Sequence, residues 1–523
     1  MGKADYAVAE ESLADGNGDV KSFNMEEEQV PYWTSCRVAL SVVLMLNMAM
    51  LYFLRVNLSV AIICMVKEPT VVNGNHSMSP ANATMSYKID TDGASTGNYG
   101  EFEWSKVLQG NILSAFYVGY ILTQIPGGWL ANKFGGKHVM GTGLLIGIVC
   151  TMVTPMAARI HPYLLIFVRI VMGIGMGVFF PTTHNLWGRW APPMERSKLI
   201  VFSQSGLMVG TVAAMSFSGY LCHAPIDNGW PMIFYIYGIV AMFCYVLFMY
   251  VAYNSPEEHP RITAAEKRYI TQSLGTGAYK KVKYTPWLEF MKSPALYAII
   301  AAHFANNWGN YTLVSCIPMY IRDVFKTDVR KNGLLSALPF CTMFVMAIAG
   351  STLADLVRSK KILSTVHTRK VFQFIGFMIP AVAAVCVAYS TQVGVAIAFL
   401  TIGVGFTGVS RSGYAVNHVD IAPRYAGILI GISNTAATIP GAVSPTLAGA
   451  LTPNGTQQEW QLVFFICTAI YVGGTITFLW LARGEEQPWA RLEERSSTTS
   501  TTGAGNTTDV TNKRGRYMEI NQK

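Results

Sequence analysis

Residues 38–66 read VALSVVLMLNMAMLYFLRVNLSVAIICMV. At about 1.5 Å per residue this run can cross a hydrocarbon core of about 30 Å as a single helix. It contains one charge, Arg55, and no acid. Lipid offers no partner to a free backbone group, so a run of this kind is helical. Eleven more apolar runs follow, near 107–130, 139–158, 162–187, 198–222, 232–252, 294–320, 333–354, 371–389, 392–417, 426–451 and 459–482. The expected fold is an all-α membrane protein with twelve spans. Composition agrees. Apolar residues make up 51% of the 523 residues and charged residues 13%, against about 25% charged in a soluble domain. A cytosolic enzyme, a disordered chain, a secreted disulfide scaffold and a coiled coil are excluded.

The more polar stretch 253–293 divides the spans six and six. The expected organisation is an acidic tail (1–37), an N-terminal half (38–252), a linker (253–293), a C-terminal half (294–482) and a disordered polar tail (483–523). The net charge of +9 comes mostly from basic residues at the ends of spans, among them Lys133, Lys137, Arg189, Arg358 and Lys360. This is an orientation signal that places both termini in the cytoplasm, and it is not a nucleic-acid footprint. The loop at 67–106 carries two sequons, at Asn75 and Asn82, which are glycosylated only on the lumenal or extracellular side. The nine cysteines are scattered without a C-x-x-C pair and read as small apolar fillers. No metal site, no cofactor and no obligate protein partner is expected. The lipid bilayer and a small anionic substrate are.

Two Ala-Pro steps, Ala191-Pro192 and Ala422-Pro423, follow the fourth and tenth spans and each opens a Ser/Gly-rich helix. Equivalent features in two six-helix halves point to a rocking transporter with its site between the halves. Gly403-Val404-Gly405-Phe406-Thr407-Gly408 fits the dinucleotide pattern but lies in an apolar helix with no strand before it, so it is rejected. No P-loop is present to drive primary transport.

The chemistry lies in an asymmetry. No acid sits in the interior of any apolar run, while Arg55, Arg169 and Arg411 do. An arginine at a helix centre costs about 2.5–3.5 kcal/mol on insertion scales, a cost offset where the charge meets an anion in a wet cavity. Its planar fork matches carboxylate or phosphate. Arg55 is too deep for easy snorkelling, and Arg169 is next in depth. Arg411, some six residues from the end of its run, suits snorkelling and substrate contact equally. Three histidines lie at or within spans. His303 reads as a satisfied core histidine. His418 beside Asp420, and His184, serve local structure or proton handling.

After the second span, Gly128-x-x-x-Asn132-Lys133-x-Gly135-Gly136-Lys137 resembles the loop signature of the major facilitator superfamily, with Asn132 where an acid is usual. The resemblance implies that Asn132 and Lys133 latch the halves, and Asp355 to Arg358 is a degenerate counterpart. Arg55-Val56-Asn57-Leu58-Ser59-Val60, Gly119 to Gly128, Trp190-Ala191-Pro192-Pro193-Met194-Glu195-Arg196-Ser197 and Asn417 to Gly427 match one branch closely. Over about 33–490 the chain is similar to the anion transporter family that includes sialin, the vesicular glutamate transporters and the sodium–phosphate cotransporters. That likeness implies substrate-binding roles for Arg55 and Arg169, and coupling or gating roles for His418, Glu195 and Arg196. Three positions depart from the relatives: Asn306 replaces an arginine of the glutamate carriers, Leu113 replaces a histidine, and Met176 replaces a glutamate tied to proton coupling. Arg411 is then the candidate that offsets Asn306.

The expected function is secondary transport of acidic sugars or acidic amino acids. Coupling is to protons or sodium, in a lysosomal or vesicular membrane or the plasma membrane. Sodium-linked phosphate uptake and anion sensing without flux are the alternatives.

Overall fold

The computed structural model describes residues 34–67, 100–192, 195–274, 286–327 and 329–490. The sequon residues Asn75 and Asn82, residues 1–33 and residues 491–523 lie outside them.

The N-terminal half comprises α1 (Cys36–Met65), α2 (Lys106–Phe134), α3 (Gly136–Ile160), α4 (Pro162–Met176), α5 (Phe179–Trp190), α6 (Arg196–Leu221) and α7 (Trp230–Val251). The linker holds α8 (Ala264–Leu274) and α9 (Trp287–Lys292). The C-terminal half comprises α10 (Pro294–Phe325), α11 (Val329–Ser359), α12 (Thr365–Ala388), α13 (Val393–Ser410), α14 (Val416–Ile421), α15 (Ala426–Leu451) and α16 (Gln457–Leu481). The twelve expected spans are present. The fourth is α4 and α5 broken at Gly177 and Val178. The tenth is α13 and α14 joined by a π-helical stretch, Arg411–Ala415. Chain logic starts these helices where the sequence supplies caps: the Ser35, Ser105, Ser293 and Ser364 hydroxyls each accept an amide of the first turn.

Within the first half α1 packs on α6 and α7, α2 on α4, and α3 on α4 and α7; within the second, α10 packs on α15 and α16, α11 on α13, and α12 on α13 and α16. The halves meet along α2 with α15, α6 with α11, and α1 with α10. Among the described residues nine helices are apolar and long enough to cross a membrane, and α2, α10 and α15 fall short. The reason is visible at the interface. Asn434 Nδ2 donates to Gln124 Oε1 (2.6 Å), Gln124 Nε2 to Thr438 (2.7 Å), and Thr446 Oγ1 reaches Asn111 and Ser114 (both 3.0 Å). The least apolar spans spend their polar groups on one another, away from lipid.

An even number of spans puts the start of α1 and the end of α16 on one face, here the terminal face. On the opposite face, Lys106 of α2 joins Asp323 of α10 (2.7 Å), Arg322 Nη1 donates to the Ile63 carbonyl (3.3 Å), and Trp460 Nε1 donates to Asp323 (3.3 Å). Arg159 there bridges Glu101 and Asp227, and holds the Asp227 carboxyl below its ordinary value by hydrogen bonding.

Three expectations are corrected. The cysteines are not all apolar fillers: Cys64 and Cys222, at the opposite-face ends of α1 and α6, form a disulfide. Their sequence separation of 158 residues hid the pair, since only packing of α1 on α6 brings them together. The linker, expected only as a polar stretch, carries helices, of which α8 holds the first half. Glu266 of α8 accepts the Cys36 and Arg37 amides (3.0 and 3.1 Å), capping α1 from another helix, and pairs with the Arg37 guanidinium (3.4 Å). Burial and the Glu195 carboxylate beside it push the Tyr269 phenol of α8 up. Finally, the polar tail does not begin at 483. Gln487 N donates to the Ile421 carbonyl, Trp489 stacks edgewise on Phe290, and Ala490 is buried.

Replacing Glu266 by alanine removes a helix cap and one carboxylate from a buried arginine. The expected cost is about 1–3 kcal/mol, read as a lower Tm of the full chain in detergent. Glu266→Gln, which keeps an acceptor, falls less.

Candidate functional site

Arg55 lies two-thirds of the way along α1, only 4% exposed. Its guanidinium carbon sits 3.8 Å from the Tyr52 ring centre, 5.2 Å from Tyr117, 5.3 Å from Tyr311 and 5.6 Å from Phe116. Tyr52 is one helical turn earlier on α1, Phe116 and Tyr117 come from α2, and Tyr311 comes from α10 of the other half. The cage therefore straddles the two halves. Arg169 of α4 closes it from the side. Its Nη2 donates to the Arg55 carbonyl (3.1 Å), its Nη1 lies 3.3 Å from the Met172 sulfur, and it shares the Phe116 face at 5.5 Å.

Local sequence makes this approach possible. A Cβ at Gly119 of α2 would strike the Ile170 carbonyl, and one at Gly173 of α4 would strike the Phe116 carbonyl. With glycine at both positions the two backbones touch and carry Phe116 against Arg169.

The electrostatics are one-sided. Desolvating a guanidinium costs several kcal/mol, and a desolvated cation–π contact returns about 2 kcal/mol. Rings satisfy charge but not N–H donors. Arg55 Nε and Nη2, and Arg169 Nε, are buried without a hydrogen-bond partner among the described residues. The missing complement is an acceptor with two oxygens and a negative charge, which a carboxylate supplies.

From the cage a polar strip runs along α10. Asn307 Nδ2 reaches the Tyr311 hydroxyl (3.4 Å) and the Ala437 carbonyl (2.9 Å), Asn306 Nδ2 donates to Asn307 Oδ1 (3.3 Å), and Ser410 donates to Asn306 Oδ1 (3.2 Å). One turn earlier, His303 Nδ1 is 3.1 Å from the Ser433 hydroxyl, which is also 2.8 Å from His418 Nε2. Arg411 opens the π-helical stretch, half-buried, within electrostatic reach of His303 and Tyr414. It makes no hydrogen bond or ion pair among the described residues.

The remaining sequence candidates are spread out. His184 is exposed on α5 with no hydrogen bond among the described residues. Asp420 does not serve its neighbour His418. It accepts from Arg369 instead (2.6 and 3.2 Å), because α12 packs close to the π-helical stretch. Asn132 Oδ1 accepts from Asn185 of α5 (2.6 Å), and Lys133 rests over Trp129 and Phe134 of its own helix. The latch expected between halves is in this structure a contact inside one half. Glu195 accepts from Arg37 of its own half (2.7 Å) and from Tyr269 of the linker helix α8 (3.3 Å). The Arg196 side chain lies outside the described residues. Leu113 and Met176 are buried, with the Met176 thioether set against Gly147 of α3.

Comparison with known proteins agrees with this architecture. The model of the Major Facilitator Superfamily matches residues 40–445. Human sialin is 41% identical over 464 residues, 88% of this chain and 92% of sialin. Human vesicular glutamate transporter 2 is 42% identical over 448 residues, 85% of this chain and 73% of that protein. The chain belongs to the anion transporter branch of the Major Facilitator Superfamily. Among solved structures, a bacterial homologue of the human lysosomal transporter Spinster matches with a TM-score of 0.63 at 16% identity, covering 85% of this chain and 98% of that one. The D-xylose–proton symporter matches with a TM-score of 0.61 at 15% identity, covering 86% and 98%. These two carry the fold. Membership makes this chain a multi-pass membrane transporter rather than an enzyme.

Sequence reading took His303 as a satisfied core histidine, which its hydrogen bond to Ser433 matches, and missed the aromatic cage around Arg55. A signal existed: His303, Asn306 and Asn307 share one helical face, as do Tyr52 and Arg55. In this anion transporter, Gly173→Val should wedge α4 from α2. The expected result is normal membrane insertion with substrate affinity lowered about tenfold or more, as misplaced positioning groups give, measured by binding of labelled anion to purified protein.

Proposed function

We propose that this chain is a secondary transporter of small organic anions, working by alternating access and driven by protons. Its substrates are acidic sugars such as sialic acid, or acidic amino acids such as glutamate. The observation that carries the reading is the pair of buried arginines, Arg55 and Arg169, with unpaired N–H groups and aromatic rather than acidic neighbours. A carboxylate bridging the two would complete both, and the Tyr311 wall of the cage would bring the second half onto the bound anion. The names of the relatives, sialin and vesicular glutamate transporter, support the substrate class.

A lysosomal or vesicular membrane fits those relatives. The terminal face is assigned to the cytoplasm for two reasons. Basic residues crowd the loops of that face. The Cys64–Cys222 disulfide lies on the opposite face, and disulfides persist in oxidising compartments.

The test is uptake by proteoliposomes of labelled sialic acid, glutamate and phosphate, with pH, potential and sodium gradients imposed separately. Flux of an organic anion driven by the pH gradient is expected. Losing a bidentate charged contact of about 2–3 kcal/mol should cut kcat/KM by about thirty- to a hundred-and-fiftyfold in Arg55→Ala and Arg169→Ala. Arg55→Lys should rescue little, because a point charge lacks the fork. Arg411→Ala should raise KM; an unchanged KM removes Arg411 from the site. Sodium-driven phosphate flux would replace the reading, and absence of any flux would leave anion sensing in its place.

A further inference from the structure

Met176, which follows Arg169 by two turns of α4, is buried and apolar and can carry no proton, so proton coupling in this chain needs a titratable group elsewhere. We propose that His303, Ser433 and His418 form a single proton-carrying unit, and that the α10 strip of Asn306, Asn307 and Tyr311 connects it to the arginine cage. This rests on the transport reading above and adds the residues that would couple it.

The geometry determines how the unit works. His418 Nδ1 lies 2.9 Å from the Ala415 carbonyl. A carbonyl only accepts, so neutral His418 carries its proton on Nδ1 and presents Nε2 as an acceptor. The Ser433 hydroxyl, 2.8 Å away, donates to that Nε2. The same oxygen accepts from His303 Nδ1–H at 3.1 Å. The chain therefore points one way, from His303 through Ser433 to His418.

Protonation of His418 reverses the last link without leaving any group unpaired. Nε2–H then donates to Ser433 Oγ, and the hydroxyl turns to the Ile430 carbonyl, 3.2 Å away. Both protonation states are thus fully hydrogen-bonded, which a merely structural histidine does not need. A proton arriving on His303 can be passed as an equivalent: His303 gives up Nδ1–H to Ser433, and Ser433 gives its own to His418.

The groups facing the pair favour movement over storage. Tyr414 lies 5.1 Å from the His303 ring, Arg411 acts on His303 electrostatically, and α15 contributes the Ser433 hydroxyl and the Ile430 carbonyl. No carboxylate acts on either imidazole among the described residues. A charged pair is therefore stabilised only when negative charge enters the cavity, and the substrate is the source of it. Binding of anion and proton is then mutually favourable, by the same factor in each direction. The unit sits in the second half and the two arginines in the first, so an occupied site carries a reason for the halves to stay together.

The experiment uses the full chain in proteoliposomes with labelled sialic acid and labelled glutamate. Counterflow at equal pH on both sides reads substrate exchange. Accumulation under a pH gradient reads coupling. The expected result is that Ser433→Ala and His303→Gln retain counterflow within about threefold of wild type but lose about tenfold or more of gradient-driven accumulation, an ordinary coupling factor. Ser433→Thr, which keeps the hydroxyl, should restore it. Gradient-driven accumulation equal to wild type in both variants overturns the proposal while leaving the transport reading intact. So does an equal loss of counterflow and accumulation, which marks a structural role. Wild type that exchanges anion but ignores the pH gradient also overturns it. Wild type that exchanges no anion overturns the transport reading and this unit with it.

Discussion

A guanidinium buried two-thirds of the way along a membrane helix, with no carboxylate partner among the described residues, constrains the rest of this molecule. Arg55 can be kept there only if its charge is spread over π faces, and four rings from three helices provide them. Two of those helices, α1 and α2, belong to one half and α10 to the other. The cage is therefore also the place where the halves are held to a common object. The glycine contacts between α2 and α4 follow from the same need, since Phe116 reaches both arginines only when those backbones touch.

Much of this was legible in the sequence, and the illegible part has a common cause. Twelve spans, the six-and-six division and the arginines of α1 and α4 follow from hydropathy and the placement of single charges, which are local properties of the chain. Asp323 sits at the end of α10 rather than in its core, so the absence of acid from span interiors also holds. What the sequence concealed depends on pairing across long separations. Cys64 finds Cys222 only through the α1–α6 contact. His303 read as a satisfied core histidine, and the partner that satisfies it, Ser433, is 130 residues away. Asp420 beside His418 looked like a pair, and yet Arg369 takes the carboxylate. Adjacency on a helix does not imply contact, because neighbours in sequence point about 100° apart.

The interactions also fall into two classes of strength, and the division matches the motion a carrier needs. Inside each half the ties are charged and largely buried, Arg37 with Glu195 and Arg369 with Asp420, and Arg37 also ties the first half to Glu266 of the linker. Removing Asp420 from the buried Arg369 costs about 3–5 kcal/mol, which holds α14 to α12 within the second half. Between the halves along α2 and α15 the ties are neutral, Gln124 with Asn434 and Thr438, and Thr446 with Asn111 and Ser114. Each contributes about 0.5–1.5 kcal/mol net and can be exchanged for water as a cavity opens. Charged ties on one face depart from this pattern, since Arg322 of α10 also donates to the Ile63 carbonyl of α1. Lys106 and Asp323 bind the halves on the face opposite the termini, with Arg322 and Trp460 beside them. Opening that face must break a buried ion pair, while opening the terminal face leaves it whole. The two rearrangements are therefore unequal in cost. The structure holds the arrangement in which Lys106 keeps its carboxylate, and parting the halves on that face has to offset the loss of this pair.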